Sequence, residues 1–287
     1  MGALAKLIGK KPMTIDQAGL LCAEQLSRQP WLLHAFSTRA FGTLGHSGEG
    51  GADGEKNRAR FLKVLAGGPA ANFQLATLRQ VHSDIIHRVA SVPNDRLTGD
   101  GMITDVAGIV LAVQTADCLP VLLADPKRKA VGAFHAGWRG TLARIVEKGV
   151  GAMRREFSSH PRDLLAAIGP GIHACCYRVG EEVREQFASQ FNYAAELFEE
   201  FDNADEVRRK YPLLFMNQRA PGHGQTGPAV HLDLLKANVR QLTDAGVPEK
   251  NIEASPLCTV CRQDLFYSYR AEGAGTGRMM ASVAIQA

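Results

Sequence analysis

The sequence predicts an α+β fold: a single domain with mixed strand pairing. Three observations carry that expectation. Strand-like segments dominate Phe73 to Ala136, amphipathic helices come in blocks rather than after every strand, and no internal repeat or linker divides the chain. Strict strand–helix alternation would indicate a parallel α/β sheet, whereas blocks indicate mixed or antiparallel pairing. The 287 residues suffice for one large domain.

Residues 1–30 read as a peripheral lead-in, with a short amphipathic helix over Ile15–Leu26, and residues 31–287 as the domain proper. Leu32–Ser37 is a strand. Residues 41–54 hold six glycines without periodicity, a loop of the length that often carries function. Apolar spacing makes Asn57–Leu65 helical. Strands follow at Phe73–Leu78, Asp84–Val89, Gly108–Gln114, Pro120–Ala124 and Ala130–Ala136, with turn signals at Pro93-Asn94-Asp95 and Asp125-Pro126-Lys127. Thr141 is placed to cap a helix over Leu142–Phe157, whose Leu142, Ile145, Val146, Gly149, Val150 and Met153 share one face. Leu164–Ile168 is a strand running into Gly169-Pro170-Gly171. Residues 181–216 are charged and helical, Ala220–Pro228 is a loop, and Leu232–Ala245 is an amphipathic helix. Leu265–Ser268 and Met280–Ile285 return to strand.

Composition excludes several classes. Hydrophobic residues make up 45%, the share of an ordinary soluble globular protein. The central apolar run Ala107–Val113 is far short of the ~20 residues of a membrane span. Met1–Lys6 lacks the pattern of a signal peptide or a myristoylation signal, so a cytoplasmic protein with no membrane partner is expected. The formal charge is +4, and the densest basic cluster, Arg208-Arg209-Lys210, follows the acidic Glu199-Glu200. That is a solvated face rather than a nucleic-acid patch. A pI of 8.8 suits a small anionic ligand.

Chemistry concentrates in three segments: Gln80-Val81-His82-Ser83, Thr115-Ala116-Asp117-Cys118-Leu119-Pro120, and His135-Ala136-Gly137-Trp138-Arg139-Gly140. Each offers one metal ligand at the end of an apolar run. The ligands are separated by 36 and then 17 positions, too far for one local knuckle but suited to separate strands meeting at one rim. Two imidazoles and a thiolate give zinc three protein ligands, the number that leaves a catalytic position open. Asp117, beside Cys118, is placed to orient a ligand or to act as a base. Arg139 stands in a glycine-flanked turn where backbone approaches a ligand closely, and Arg58 and Arg60 follow the glycine-rich loop. Arginine forks match phosphate, so Arg58 and Arg139 are candidate anion binders, against the plainer reading of surface ion pairs. Six cysteines in a reducing compartment argue against a disulfide framework. Cys258-Thr259-Val260-Cys261 has the gap of a metal or redox pair, but its candidate partners Cys175 and Cys176 are adjacent residues, a poor ligand pair; reduced thiols are expected.

Arg79–Ser83, Thr115–Val121 and Phe134–Thr141 together resemble the YfiH family, also called the laccase-domain, polyphenol-oxidase-like or peptidoglycan-editing-factor family. Supporting segments are Phe36–Arg39, Asn57-Arg58, Asp100-Gly101, Ala167–Pro170, Cys175–Tyr177, Phe266–Arg270 and Thr276–Arg278. The resemblance runs from about residue 32 to the C-terminus. It implies α/β/β/α layers and one zinc per chain on His82, Cys118 and His135. It also implies purine nucleoside chemistry: cleavage of adenosine, inosine, guanosine or methylthioadenosine with inorganic phosphate as co-substrate, and deamination of adenosine. Arg58 falls where a family arginine serves the active site. Ala40–Glu55 replaces the family's usual short turn, and Arg178 stands where Glu is common; both bear on substrate contacts rather than on the metal. Competing readings are a zinc or cysteine amidase editing a peptidoglycan precursor, with Cys118 as nucleophile and His135 or His82 as base, and a non-catalytic zinc-supported binding protein. A multicopper oxidase is disfavoured, because none of the nine histidines forms a His-x-His pair.

Overall fold

The computed structural model describes residues 13–46, 53–201 and 229–287. Met1–Lys6, the centre of the glycine-rich loop, Arg208-Arg209-Lys210 and Ala220–Pro228 lie outside them. The described strands are β1 (Thr14–Ile15), β2 (Leu20–Cys22), β3 (Leu32–Ser37), β4 (Gln74–Arg79), β5 (Ile86–Arg88), β6 (Leu97–Thr98), β7 (Gly101–Thr104), β8 (Ile109–Thr115), β9 (Leu119–Asp125), β10 (Ala130–Ala136), β11 (Leu165–Ile168), β12 (Arg178–Val179), β13 (Phe198–Phe201), β14 (Ala229–Leu232), β15 (Ile252–Ala254) and β16 (Met279–Ile285). The α-helices are α1 (Glu24–Ser27), α2 (Gly54–Leu65), α3 (Trp138–Leu142), α4 (Ile145–Phe157), α5 (Glu181–Gln190), α6 (Leu234–Asp244) and α7 (Tyr269–Glu272). None is long and apolar enough to cross a membrane. Backbone packing separates two units, Met1–Ile172 with Leu234–Ala287, and His173–Asp233.

In the larger unit a seven-stranded sheet, β1-β2-β3-β16-β8-β4-β6, faces a six-stranded sheet, β15-β11-β9-β10-β7-β5. Both mix parallel and antiparallel pairs: β4 runs parallel to β8, which is antiparallel to β16, and β11 runs parallel to β15 but antiparallel to β9. Alternation along each strand builds the core. Ile109, Leu111 and Val113 of β8 point between the sheets with Ala281 and Val283 of β16, meeting Leu122 and Ala124 of β9 and Val131 and Ala133 of β10. The intervening Val110, Ala112, Met280 and Ala284 face outward against Phe61 and Leu65 of α2. On the other side α4 packs on β10, and α6 packs on α4. Both faces of the inner strands are thus covered, which is why β8, β9, β10 and β16 read as continuous apolar runs. The expected α/β/β/α layering is present.

The smaller unit is a three-stranded sheet, β12-β14-β13, with α5. Phe187 of α5 meets Phe191 and Phe198 there, at 5.6 and 5.8 Å between ring centroids.

Four expectations need correction. The helix over Ile15–Leu26 is reduced to Glu24–Ser27: Gly19 at φ +86° turns β1 back onto β2, and Leu21 enters the core from a strand. The helix over Leu142–Phe157 is instead two, broken where Arg144 adopts a left-handed φ of 63°. Thr141 caps neither; it is buried, its Oγ1 accepting from Asn238 and its carbonyl from Gln241, both on α6. Leu265–Ser268 forms a turn stabilised by bonds from the N–H groups of Leu265 and Phe266 to the Arg262 carbonyl, and Phe266 is buried without joining a sheet. Within the charged stretch from 181, helix ends at Gln190 and β13 follows.

One packing detail reaches toward the strand ends. The Phe134 ring occupies the space that side chains at three glycines would take: a Cβ on Gly101, Gly132 or Gly149 would lie 2.8, 2.8 or 2.6 Å from its carbons. Gly149 lets α4 settle on β10 one residue before His135. Ala for Gly inside a helix normally stabilises by about 1 kcal/mol. Here Gly149→Ala should destabilise by about 1–3 kcal/mol through overpacking, read as a lower denaturant midpoint with unchanged slope. A raised midpoint would show that the Phe134 cradle does not constrain the helix.

Candidate metal centre

Two chain crossings create the rim where the site lies. β4 ends in one sheet and β5 begins in the other, with His82 between them; β8 and β9 are likewise in different sheets, with Cys118 between them. His135 is the penultimate residue of β10, paired with Pro120 at the start of β9. The three side chains therefore meet at one edge of the two-sheet stack. Their ligand atoms lie within 4.8 Å of one another. Cys118 Sγ is 3.7 Å from His82 Nε2, and the two imidazole centroids are 4.8 Å apart at 72°. Tetrahedral zinc, with Zn–S ~2.3 Å and Zn–N ~2.0 Å, sets such atoms roughly 3.5 Å apart. The donor set and spacing fit that ion with little movement. His135 is buried, Cys118 half-buried and His82 exposed, so the centre is accessible from the His82 side.

Asp100, which follows β6 in the short link to β7, organises two of the three candidate ligands. Its fully buried carboxylate accepts from the N–H groups of Val81 (3.2 Å), His82 (3.0 Å) and Ser83 (2.6 Å), and from Ser83 Oγ (2.7 Å). Successive N–H groups around one anion form a nest, and such a turn demands left-handed backbone. His82 supplies it at φ 60°, an uncommon conformation for a residue with a side chain. Asp100 also binds His135 Nδ1 at 2.8 Å, while its carbonyl accepts the His135 N–H at 2.8 Å. With Nδ1 so engaged, Nε2 is the nitrogen offered to a metal. Burial raises the Asp100 pKa, but the hydrogen bond and charge of His135 and the Ser83 donors outweigh this and bring it down to about 2. Burial likewise works against the Cys118 thiolate, yet the charges and hydrogen bonds of His135 and His82 pull its pKa down. His135 is shifted upward, against the effect of its burial, by Cys118 and Asp100. The cluster thus favours a thiolate, the form a metal needs.

Gly137 closes the other side. A Cβ there would stand 2.9 Å from both Cys118 Sγ and His82 Cδ2. Asp117 sits at φ 94°, its Oδ1 accepting from Thr259 Oγ1 and its Oδ2 from the Arg270 N–H, both at 2.6 Å. Those bonds clamp the turn that presents Cys118. In the sequence Asp100-Gly101 stands out only as part of the family pattern, and Gln80 and Gln114 carry no evident role. The Gln80 amide pairs with both backbone groups of Gln114, at 2.8 and 2.7 Å, tying the ends of β4 and β8 together. The glutamine one residue before Val81-His82 and an acid between two glycines were the available signals.

The arginines are placed differently. Arg139 is exposed and stacks over Trp138 at 4.2 Å, with no carboxylate partner among the described residues. Arg58 is half-buried, and its Nη1 donates to the carbonyls of Leu44 (3.2 Å) and Gly45 (2.6 Å). Leu44 O also accepts from Gln114 Nε2 at 2.7 Å, so Arg58 braces a loop linked to the rim. Arg60 stacks on Phe41 at 5.3 Å.

Asp100→Asn keeps the shape but replaces one acceptor oxygen by a donor facing a nest of donors. Affinity for added zinc, measured by chelator competition, should fall about 10–100-fold. Unchanged affinity in a folded variant would show that the ligands hold their geometry without this carboxylate.

Residues 35–286 match the family described as multi-copper polyphenol oxidoreductase laccase. A purine nucleoside phosphorylase of Deinococcus radiodurans is 36% identical over 262 residues, 88% of each chain. The adenosine deaminase RL5, from an unknown prokaryotic organism, is 36% identical over 185 residues, 65% of this chain and 61% of RL5. The crystal structure of the hypothetical protein YfiH from Bacillus licheniformis superposes with a TM-score of 0.76 at 27% identity, covering 96% of this chain and all of that one. With the family pattern spanning nearly the whole chain and the same architecture around it, this protein belongs to the YfiH, or laccase-domain, family.

Proposed function

We propose that the chain is a zinc-dependent purine nucleoside phosphorylase that also deaminates adenosine. The observation that carries this reading is the centre of His82, Cys118 and His135, open on one side, with the carboxylate-free Arg139 four residues beyond His135. Relatives bearing phosphorylase and deaminase names support the substrate class.

When bound, zinc supplies a Lewis acid that polarises an oxygen in its open position. The chain's own contribution is placement and charge. One thiolate and two neutral imidazoles offset only one of the two positive charges of the ion, which keeps the pocket attractive to phosphate. Asp100 fixes His135 with its Nδ1 proton inward, and Asp117 fixes the Cys118 turn as an orienting group. Arg139 binds phosphate as a fork, and Arg58 braces the backbone at Leu44 and Gly45. In phosphorolysis a phosphate oxygen bonds to the sugar C1′ as the bond from C1′ to the base nitrogen breaks, and the base leaves with the electron pair and takes up a proton. In deamination water adds at C6 of adenine and ammonia leaves. The substrates are adenosine, inosine, guanosine and methylthioadenosine, and the setting is cytoplasmic.

A second reading has specific support: Cys118 Sγ lies 3.7 Å from His82 Nε2, and His135 and His82 lower its pKa, the arrangement of a cysteine nucleophile. The two part cleanly. Chelation should abolish phosphorolysis and added zinc restore it, with no substrate adduct on Cys118 by intact mass; a covalent adduct would establish the nucleophile reading instead.

Arg139→Ala should lower phosphorolysis about tenfold or more at subsaturating phosphate, the loss of a charge-assisted pair of roughly 1.5–3 kcal/mol. Deamination, which uses no phosphate, should fall less. Equal losses with full zinc content would move Arg139 from anion binding to nucleoside placement.

A further inference from the structure

A second concave site lies away from the metal rim. A cavity of about 420 Å³ opens beyond the C-terminal end of α4, lined by Arg154, Ser158, Ser159, His160, Arg162 and Gly246 with their neighbours. That volume is in the range of small-molecule sites. α4 begins just after the metal-centre turn, so its thirteen residues place the cavity roughly 20 Å away along the helix.

Three features suit it to an anion. First, neither Arg154 nor Arg162 has a carboxylate partner among the described residues, while the adjacent acids are already engaged: Asp163 with Lys127 at 2.8 Å and Asp244 with Arg240 at 2.9 Å. Second, Ser159 is 1% exposed, and its Oγ has no hydrogen-bond partner. A buried hydroxyl without a partner is costly; its Oγ is sealed from the cavity as it stands, so a turn about χ1 is what would bring it to a ligand oxygen. Third, His160 Nδ1 accepts the Arg162 N–H at 3.2 Å, which leaves Nε2 as the protonated nitrogen and a further donor. Basic residues at a helix C-terminus also offset the macrodipole. That accounts for Arg154, and for Arg155 lying back along Gly151, but not for Arg162 on the next segment or for the Ser159 hydroxyl.

We propose that this cavity binds a small ligand bearing a phosphate group, at a site separate from the metal centre and independent of the reaction performed there. Two guanidinium forks, a serine hydroxyl and an imidazole N–H match the oxygens of a phosphate monoester.

The test is amide-resolved NMR of the zinc-loaded full chain titrated with inorganic phosphate at constant ionic strength. Saturable shifts are expected at Ser158, Ser159, Arg162 and Gly246. They should persist in Arg139→Ala and weaken at least tenfold in the Arg154→Ala/Arg162→Ala double variant, whose exposed side chains leave the fold intact. Ser159→Ala should weaken binding without lowering the melting temperature, because its hydroxyl has no internal partner to lose. Shifts confined to the metal rim, shifts that never saturate, or binding unchanged in the double variant would each overturn the proposal.

Discussion

A single buried carboxylate holds the rim together. Asp100 gathers three consecutive N–H groups from the turn carrying His82 and the Nδ1 proton of His135, which stands at the end of a strand. An anion in a nest of donors is stable only if every donor reaches it. The same requirement that keeps Asp100 charged therefore dictates the left-handed backbone at His82 and the ring orientation of His135. Cys118 is held by a parallel device, with Asp117 clamped by Thr259 and the Arg270 backbone. Two aspartates thus position all three candidate ligands, and neither belongs to the cluster that could hold a metal.

The sheets make this economy possible. Crossing from one sheet to the other after β4 and after β8 brings two turns to a common edge, and Gln80 bonded to Gln114 fixes their spacing. Phe134, wedged among Gly101, Gly132 and Gly149, locks β10 against β7 and α4 next to His135. Packing free energy spent in the core is in this way converted into precision at the rim, the condition under which a metal site is preorganised. Gly137 completes the arrangement by leaving no side chain between Cys118 and His82.

Much of this was legible in the sequence. β8, β9, β10 and β16 stand out as apolar runs because both of their faces are covered; Cys118 follows β8 and His135 lies near the end of β10, whereas His82 follows β4, where buried residues alternate with partly covered or exposed ones. What local pattern does not encode is the reach between distant segments. Asp100 is separated by 17 to 19 positions from the turn it orders and by 35 from His135, so no window reveals its role. The same limit explains the helices. Leu142–Phe157 has continuous helical spacing, yet Thr141 is drawn to Asn238 and Gln241 from far along the chain, and the helix breaks at Arg144. Over Ile15–Leu26 the apolar spacing also fits a helix, but Gly19 folds the segment into a hairpin that the sheet edge accepts.

Everything said of function rests on His82, Cys118 and His135 acting as one metal centre. The direct test is elemental analysis of protein purified without chelators, wild type beside a Cys118→Ser/His135→Ala variant shown to be folded by circular dichroism. The account predicts that the wild type carries one equivalent of zinc per chain that the variant lacks. Equal metal content in the two proteins, or none in the wild type, would contradict it.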